Sequence, residues 1–291
     1  MKVILICPSE RHEMEELTGN RPLVALPLLG DTALGLWLSH LAARGVKQVK
    51  ILAADRADYI KTLVGSGEKW GLEATVHSEA IEPTPQEARK KHNPSEGDGF
   101  VAIPEDVQVV DHLPWDDSYP MFAGYAAWFG ACQAILNQIQ PGFRLGMRQL
   151  KPGVWVGRGS RISNTAQLVG PCWIGRGVHL GENAIVGPNC IVEDETYIDD
   201  NAELADAWIG PDTYVGALTQ VKDSLAWGNA LINWRTNSHI TVPDPFLLSS
   251  VEQARNAVKG LLAPKRLPAL FTETFSRPIA ALASLKAKLP S

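Results

Sequence analysis

Large aliphatic residues recur at every sixth position across residues 154–221. The series runs Val156, Ile162, Leu168, Ile174, Leu180, Val186, Val192, Ile198 and Leu204 and, after one omitted residue, Ile209, Val215 and Val221. The residue two positions before each is compact, as at Ala166, Cys172 and Ala184. A six-residue period is typical of a solenoid rather than of a helix. Since side chains alternate faces along a strand, the aliphatic and compact residues point inward together.

The residue just before each aliphatic position is expected to point outward. If three hexads make one triangular coil, outward residues 18 apart stack about 4.8 Å from one another. One column contains Trp155, Trp173, Ile191 and Trp208, the second contains Arg161, His179, Tyr197 and Tyr214, and the third contains Gln167, Ile185, Glu203 and Gln220. Three stacked tryptophans would form a large apolar strip. We expect another part of this chain, or a second subunit in a homo-oligomer, to cover this interface column.

Strands and helices alternate in the first part of the chain. The apolar run KVILIC predicts a buried strand, and a helix is expected to start near Asp31 and to stop at Gly45. VKQVKILAA and LEATVHS predict two further strands, with a short helix over RADYIKTLVG. This alternation predicts an α/β unit with a parallel sheet covered on both faces.

The order of these segments resembles the first half of the sugar-1-phosphate nucleotidyltransferases. The resemblance covers about residues 1–110 and rests on LTGNRPLVALPLLGDTALGLWLSHLAARGVKQVKILA followed by YIKTLVGSGEKWGLEATV. Many members carry a left-handed β-helix of hexapeptide repeats after the catalytic domain, where this chain has its six-residue period. The resemblance implies a shortened Rossmann-like domain (1–150), a left-handed parallel β-helix of about four coils (151–233), and an exit segment with C-terminal helices (234–291).

The resemblance also indicates where a nucleotide or sugar phosphate would bind. Ser9, Arg11 and His12 occupy the place of the family's glycine-rich phosphate loop, and Arg21 precedes Pro22 where the family has a phosphate-binding lysine. Asp106 corresponds best to the family's Mg²⁺ ligand, since it follows the expected strand GFVAI together with Glu105. Arg11 is the catalytic candidate of this site.

The loop with Ser9, Arg11 and His12 lacks the features with which the family binds phosphate. It has no glycine to let the backbone approach an anion, and Pro8 cannot donate an amide. Glu10 brings negative charge to the same place, and the later sugar-binding half of the domain is missing. We therefore expect a catalytically degenerate protein of nucleotide-sugar or surface-polysaccharide metabolism, with a binding, regulatory or assembly role. The alternative within the family is an active transferase that forms a nucleotide sugar and pyrophosphate.

A second enzymatic alternative comes from the repeats themselves. Many hexapeptide proteins are acyltransferases that use acyl-CoA and a histidine base. His179 lies in the second outward column, and His239 follows the last hexad. Either imidazole could accept a proton from an amine or a hydroxyl.

Composition bears on the partners and the cellular location of the protein. The 291 residues carry a net charge of −5, which disfavours nucleic acid as a partner. The four cysteines lack metal-site spacing, and the short apolar run before Pro8 does not predict a signal peptide, so a cytoplasmic location is expected.

Ser249 and Glu252 predict a capping box for a C-terminal helix. The final stretch, 266–291, suggests membrane association by resemblance to membrane-bound sugar-phosphate transferases.

Overall fold

The computed structural model describes residues 2–92, 106–139 and 144–262, which form an α/β unit followed by a region of short strands. Strands of the first unit are β1 (Lys2–Cys7), β2 (Pro27–Leu28), β3 (Asp31–Thr32), β4 (Gln48–Ala53), β5 (Glu73–Ser78), β6 (Val107–Val109), β7 (His112–Leu113) and β8 (Asp116–Pro120). Its helices are α1 (Glu15–Thr18), α2 (Ala33–Ala43), α3 (Ala57–Val64), α4 (Pro85–His92) and α5 (Tyr125–Gln138), with 3-10 turns at His12–Met14, Leu23–Ala25 and Glu68–Trp70. The expected strand GFVAI, Glu105 and the segment 266–291 lie outside the described residues.

The first unit is built on a parallel sheet in the order β5-β4-β1-β6. Alternate residues of β1 enter two different cores: Val3 and Leu5 face the core that contains α2, and Ile4 and Ile6 face Ala88 of α4. Both faces of the sheet are thus covered, as the continuous apolar run predicts.

The second region contains strands β9 (Met147–Lys151), β10 (Val154–Gly157), β11 (Arg161–Ile162), β12 (Gln167–Leu168), β13 (Cys172–Ile174), β14 (His179–Leu180), β15 (Ile185–Val186), β16 (Cys190–Val192), β17 (Tyr197–Ile198), β18 (Glu203–Ala205), β19 (Trp208–Ile209), β20 (Thr213–Val215), β21 (Gln220–Lys222), β22 (Ser224–Trp227), β23 (Ala230–Asn233), β24 (Ser238–Thr241) and β25 (Leu248–Ser250). Helix α6 (Val251–Leu262) follows.

These strands form three sheets in which every third strand pairs in parallel. The orders are β24-β23-β22-β19-β16-β13-β10-β9, β11-β14-β17-β20-β25 and β12-β15-β18-β21. Trp155 pairs with Trp173, Trp173 with Ile191, and Ile191 with Trp208. The other two outward columns pair in the same register. The inward residues fill one shared core, which includes the paired Cys172 and Cys190.

Antiparallel strands extend two of these sheets, and β9, β24 and β25 reach beyond the range 151–233 expected for the repeats. β9 pairs with β10, β23 lies between β22 and β24, and β25 pairs with β20. These additions occupy edges that would otherwise expose unpaired backbone groups.

The capping box of α6 lies one residue later than expected. Gln253 N–H donates to Ser250 Oγ at 3.2 Å, and Ser250 N–H donates to Gln253 Oε1 at 3.3 Å. Ser249 is unavailable because it is buried in β25, where its hydroxyl donates to the Pro245 carbonyl at 2.8 Å. The expected pair of Ser249 and Glu252 is therefore wrong by one position.

The tryptophan column is covered by the same chain. Trp155, Trp173, Ile191 and Trp208 are at most 5% exposed and share one hydrophobic core with α2 and α5 of the first unit. The Phe129 ring of α5 also stacks on Trp234 at a centroid distance of 4.7 Å. The first unit therefore packs directly on the eight-stranded sheet.

Among residues 2–92, 106–139 and 144–262, no helix combines the length and the apolar character needed to cross a membrane.

Candidate functional site

The carboxyl ends of the parallel strands define the candidate site. From β1 the chain continues to β4 and β5 on one side, whereas β6 lies on the other side of β1. Such a reversal leaves a crevice beyond the strand ends, which is where open α/β sheets bind ligands. The loop Pro8–Arg11 follows β1 at this point, and Asp111 follows β6.

The loop after β1 holds a carboxylate of the same chain. Ser9 N–H donates to Glu82 Oε2 at 2.8 Å. The Arg11 guanidinium donates to both oxygens of Glu82, at 2.9 Å to Oε2 and 2.8 Å to Oε1. A backbone amide and a two-pronged guanidinium are the donors that an anion site would supply. Here they bind Glu82.

The electrostatics of this cluster agree with a charged pair. Burial pushes the pKa of Glu82 upward, but the hydrogen bonds from Arg11 and Ser9 outweigh it and leave the pKa lowered. The hydrogen bond to Glu82 raises the pKa of Arg11, with burial opposing it. Burial raises the pKa of the neighbouring Asp111. Cys7, directly before the loop, is fully buried, and burial raises its pKa so that the thiol stays neutral.

A second group of charges lies along the same edge, after β4. Arg56 contacts Asp55 at 2.6 Å and Glu10 of the first loop at 3.5 Å. It also donates to the backbone carbonyl of Arg21 at 3.4 Å. Among the described residues of this edge, the guanidinium groups of Arg11 and Arg56 are thus both bound to carboxylates.

The other two predicted nucleotide-binding side chains point elsewhere. His12 is exposed and lies 3.1 Å from Glu15 Oε2. The Arg21 guanidinium lies over the Trp227 ring, 4.2 Å from its centroid. The structure therefore brings Ser9 and Arg11 together and separates His12 and Arg21 from them.

Asp106 does not join this cluster. It directly precedes β6, and its carbonyl accepts a hydrogen bond from Ile4 N–H, so it lies towards the amino end of the sheet. The end of β1 is about 10 Å further along the strand direction. The Asp106 carboxylate is ion-paired with Arg89 of α4.

The surroundings of Asp106 that the structure describes do not fit Mg²⁺. This cation needs several oxygen ligands, whereas the contact here is a guanidinium. The described residues contain no cluster of three or more side chains able to hold a metal ion.

The two histidine candidates lie on different sheets. His179 on β14 stacks on Tyr197 with ring centroids 4.2 Å apart, and burial lowers its pKa, so the ring is neutral near pH 7. His239 on β24 lies 3.2 Å from Glu16 of α1. Neither is part of the cluster at the end of β1.

Sequence reasoning missed Glu82 and Glu193. Glu82 lies in the loop after β5, at the same sheet edge as Arg11, but 71 residues separate the two and no motif links them. Glu193 lies directly after β16, where its carboxylate accepts hydrogen bonds from the first unit. In the sequence, the indication for both residues was their position shortly after the end of a strand.

Neither the models of known protein families nor the curated proteins include a match to this sequence.

Proposed function

We propose that this chain is a catalytically degenerate sugar-1-phosphate nucleotidyltransferase-like protein with a binding or assembly role in nucleotide-sugar or surface-polysaccharide metabolism. The single observation that carries this proposal is the occupation of the loop after β1 by Glu82. The order of strands and helices supports the family assignment. The three sheets, with partners 18 residues apart, support a left-handed β-helix as its second part.

The Glu82 contact opposes nucleotide turnover for an electrostatic reason. Phosphoryl transfer relies on positioning and on neutralising the charge of the phosphates. A carboxylate bound to Ser9 N–H and Arg11 uses these donors and adds negative charge at the place where phosphate would enter. A nucleotide would have to displace Glu82, and the displaced carboxylate would still lie close by.

The remaining elements of transferase chemistry are also altered. The Arg21 side chain packs on Trp227, and the Asp106 carboxylate is neutralised by Arg89. No step can therefore be assigned to a bound metal ion at Asp106. The packing of the first unit on the tryptophan column instead favours an assembly role in which the two parts act together.

The test is a pyrophosphate-release assay with Mg²⁺ across a panel of nucleoside triphosphates and sugar 1-phosphates. We expect no turnover above background by the wild-type protein. Turnover that is lost in Arg11→Ala would overturn the proposal and would favour an active transferase. Acylation of an amino sugar with acetyl-CoA, lost in His179→Ala but kept in His239→Ala, would favour an acyltransferase instead.

A further inference from the structure

A cavity of about 460 Å³ opens at the amino end of the parallel sheet, opposite the Ser9–Glu82 cluster. It lies between the last turns of α2 and the hairpin of β7 and β8, beside Val3 of β1. Small-molecule sites in proteins typically occupy about 300–1,000 Å³. The cavity is therefore large enough for a small ligand, and the proposed function does not use it.

Aromatic side chains form its walls. Trp37 stacks on His112 with centroids 5.3 Å apart and donates from Nε1 to the His112 carbonyl at 3.0 Å, which fixes both rings. Trp115 lies on the two-residue turn between β7 and β8 and is 40% exposed. Its ring is tilted 45° to that of His40 at a distance of 6.3 Å. The two rings form adjoining walls of the cavity, and Trp115 keeps part of its surface open to solvent.

Two carboxylates lie beside this aromatic wall. Asp116 accepts two hydrogen bonds from Ser118, both at Oδ1, and no described residue donates to its Oδ2. Asp117 is exposed and has no hydrogen bond or ion pair within the described part of the chain. Both are thus able to accept hydrogen bonds from a ligand.

The charge of the lining favours a cation. Burial, and then the nearby Arg44, lower the pKa of His40, so its ring is neutral near pH 7. Arg44, Asp116 and Asp117 bring one positive and two negative charges to the lining. An open indole face attracts cations, and a carboxylate pairs best with two parallel N–H donors.

We propose that this cavity binds a planar organic cation with an amidine edge, the N–C–N pair of N–H donors present in guanidinium groups and protonated aminoheterocycles. The flat face of the ligand stacks on Trp115, and its amidine edge donates to both oxygens of Asp117. Neither the loop after β1 nor any activity of the second region is needed for this binding.

Calorimetric titration of the full chain with 2-aminobenzimidazole and with benzimidazole tests the proposal, since only the first probe presents two parallel N–H donors, one from the ring and one from the amino group. We expect saturable binding of 2-aminobenzimidazole that is at least about 10-fold tighter than that of benzimidazole, because hydrogen bonds to a charged group contribute this much. Trp115→Leu and Asp117→Asn should each weaken binding by about 10-fold.

Two exposed neighbours on α3 provide matched controls. Tyr59 is 41% exposed, close to the value for Trp115, and Asp58 is an exposed aspartate outside the cavity. Tyr59→Leu and Asp58→Asn should bind as the wild type does. Absence of saturable binding at millimolar probe, equal affinity for the two probes, or unchanged affinity in Asp117→Asn would each overturn the proposal. Asp117→Asn decides the matter even if Trp115→Leu fails to fold, because the Asp117 side chain makes no hydrogen bond or ion pair with the described residues.

Discussion

The carboxylate of Glu193 accepts hydrogen bonds from the backbone N–H groups of Leu29 and Gly30, both at 2.8 Å. Glu193 belongs to the strand region and the two amides to the first unit, so these bonds join the two parts of the chain. Trp208 Nε1 donates to the same carboxylate at 3.3 Å. Glu193 is 1% exposed, and burial raises its pKa from an ordinary value of 4.5 to about 7, against the hydrogen bonds and with the help of Asp194.

Replacement of Glu193 by glutamine should change how stability depends on pH. Between pH 4.5 and about 7 the unfolded chain loses this proton while the folded chain keeps it, so the wild-type free energy of unfolding falls as pH rises. Glutamine stays neutral. Glu193→Gln should therefore gain stability relative to wild type on going from pH 4.5 to pH 8, by on the order of 3 kcal/mol. Urea unfolding at both pH values measures this difference, and parallel curves for the two proteins would contradict it.

Arg11 and Glu82 should show energetic coupling. Either single alanine substitution leaves a charged partner without its hydrogen bonds and should cost about 1–2 kcal/mol, reduced from the buried case because the Glu82 side chain is 26% exposed. The double variant should cost about 1 kcal/mol less than the sum of the two. Chemical denaturation of the four proteins gives the coupling energy, and Glu13→Ala serves as an exposed control. Strict additivity would show that the ion pair contributes nothing.

Trp173 should contribute far more to stability than Trp115. Trp173 is 1% exposed between the two parts of the chain, and Trp115 is 40% exposed. Trp173→Ala should lower the free energy of unfolding by about 3–5 kcal/mol, because a large buried ring leaves a cavity. Trp115→Ala should change it by about 0.5 kcal/mol or less. Similar values for the two variants would mean that the tryptophan column is not the contact between the two parts.

Alanine substitution should change the stability of the protein in opposite directions at two glycines. A Cβ at Gly187, where φ is +110°, would meet the carbonyl oxygen of Val169, and both the strain and the clash oppose it. A Cβ at Gly130 in α5 meets no atom within 4 Å. Gly130→Ala should stabilise the protein by about 0.5–1 kcal/mol through helix propensity, whereas Gly187→Ala should destabilise it. Thermal unfolding of both variants measures the direction of each stability change. A Gly187→Ala variant as stable as the wild type would contradict the close approach of residue 187 to the Val169 carbonyl.

The strand register could be predicted because the repeat period determines which residues lie side by side in neighbouring strands. Once the period of six is recognised, the neighbours of Trp173 follow by counting 18 residues, and Trp155 and Ile191 are indeed its partners. The omitted residue before Ile209 shortens one interval without disturbing the pairing of Ile191 with Trp208. The alternation of predicted strands and helices was likewise sufficient for the parallel pairing of β1 with β4.

The candidate site could be predicted only in part. Local sequence identified the loop with Ser9 and Arg11, but its partner Glu82 is set by how two loops meet at the end of the sheet. The same holds for Asp106, whose environment depends on Arg89 from a helix on one face of that sheet. Ion pairs between distant segments have no period, so they leave no pattern in a single sequence.

Calorimetric titration of the wild-type protein with Mg²⁺-bound nucleoside triphosphates tests directly whether Glu82 blocks the loop after β1. Because Glu82 already occupies the donors of Ser9 and Arg11, we predict no saturable binding at this loop at millimolar nucleotide. Saturable binding that is abolished in Arg11→Ala and unchanged in Arg44→Ala would show that nucleotide displaces Glu82. The loop after β1 would then be a working nucleotide site, contrary to the proposed function.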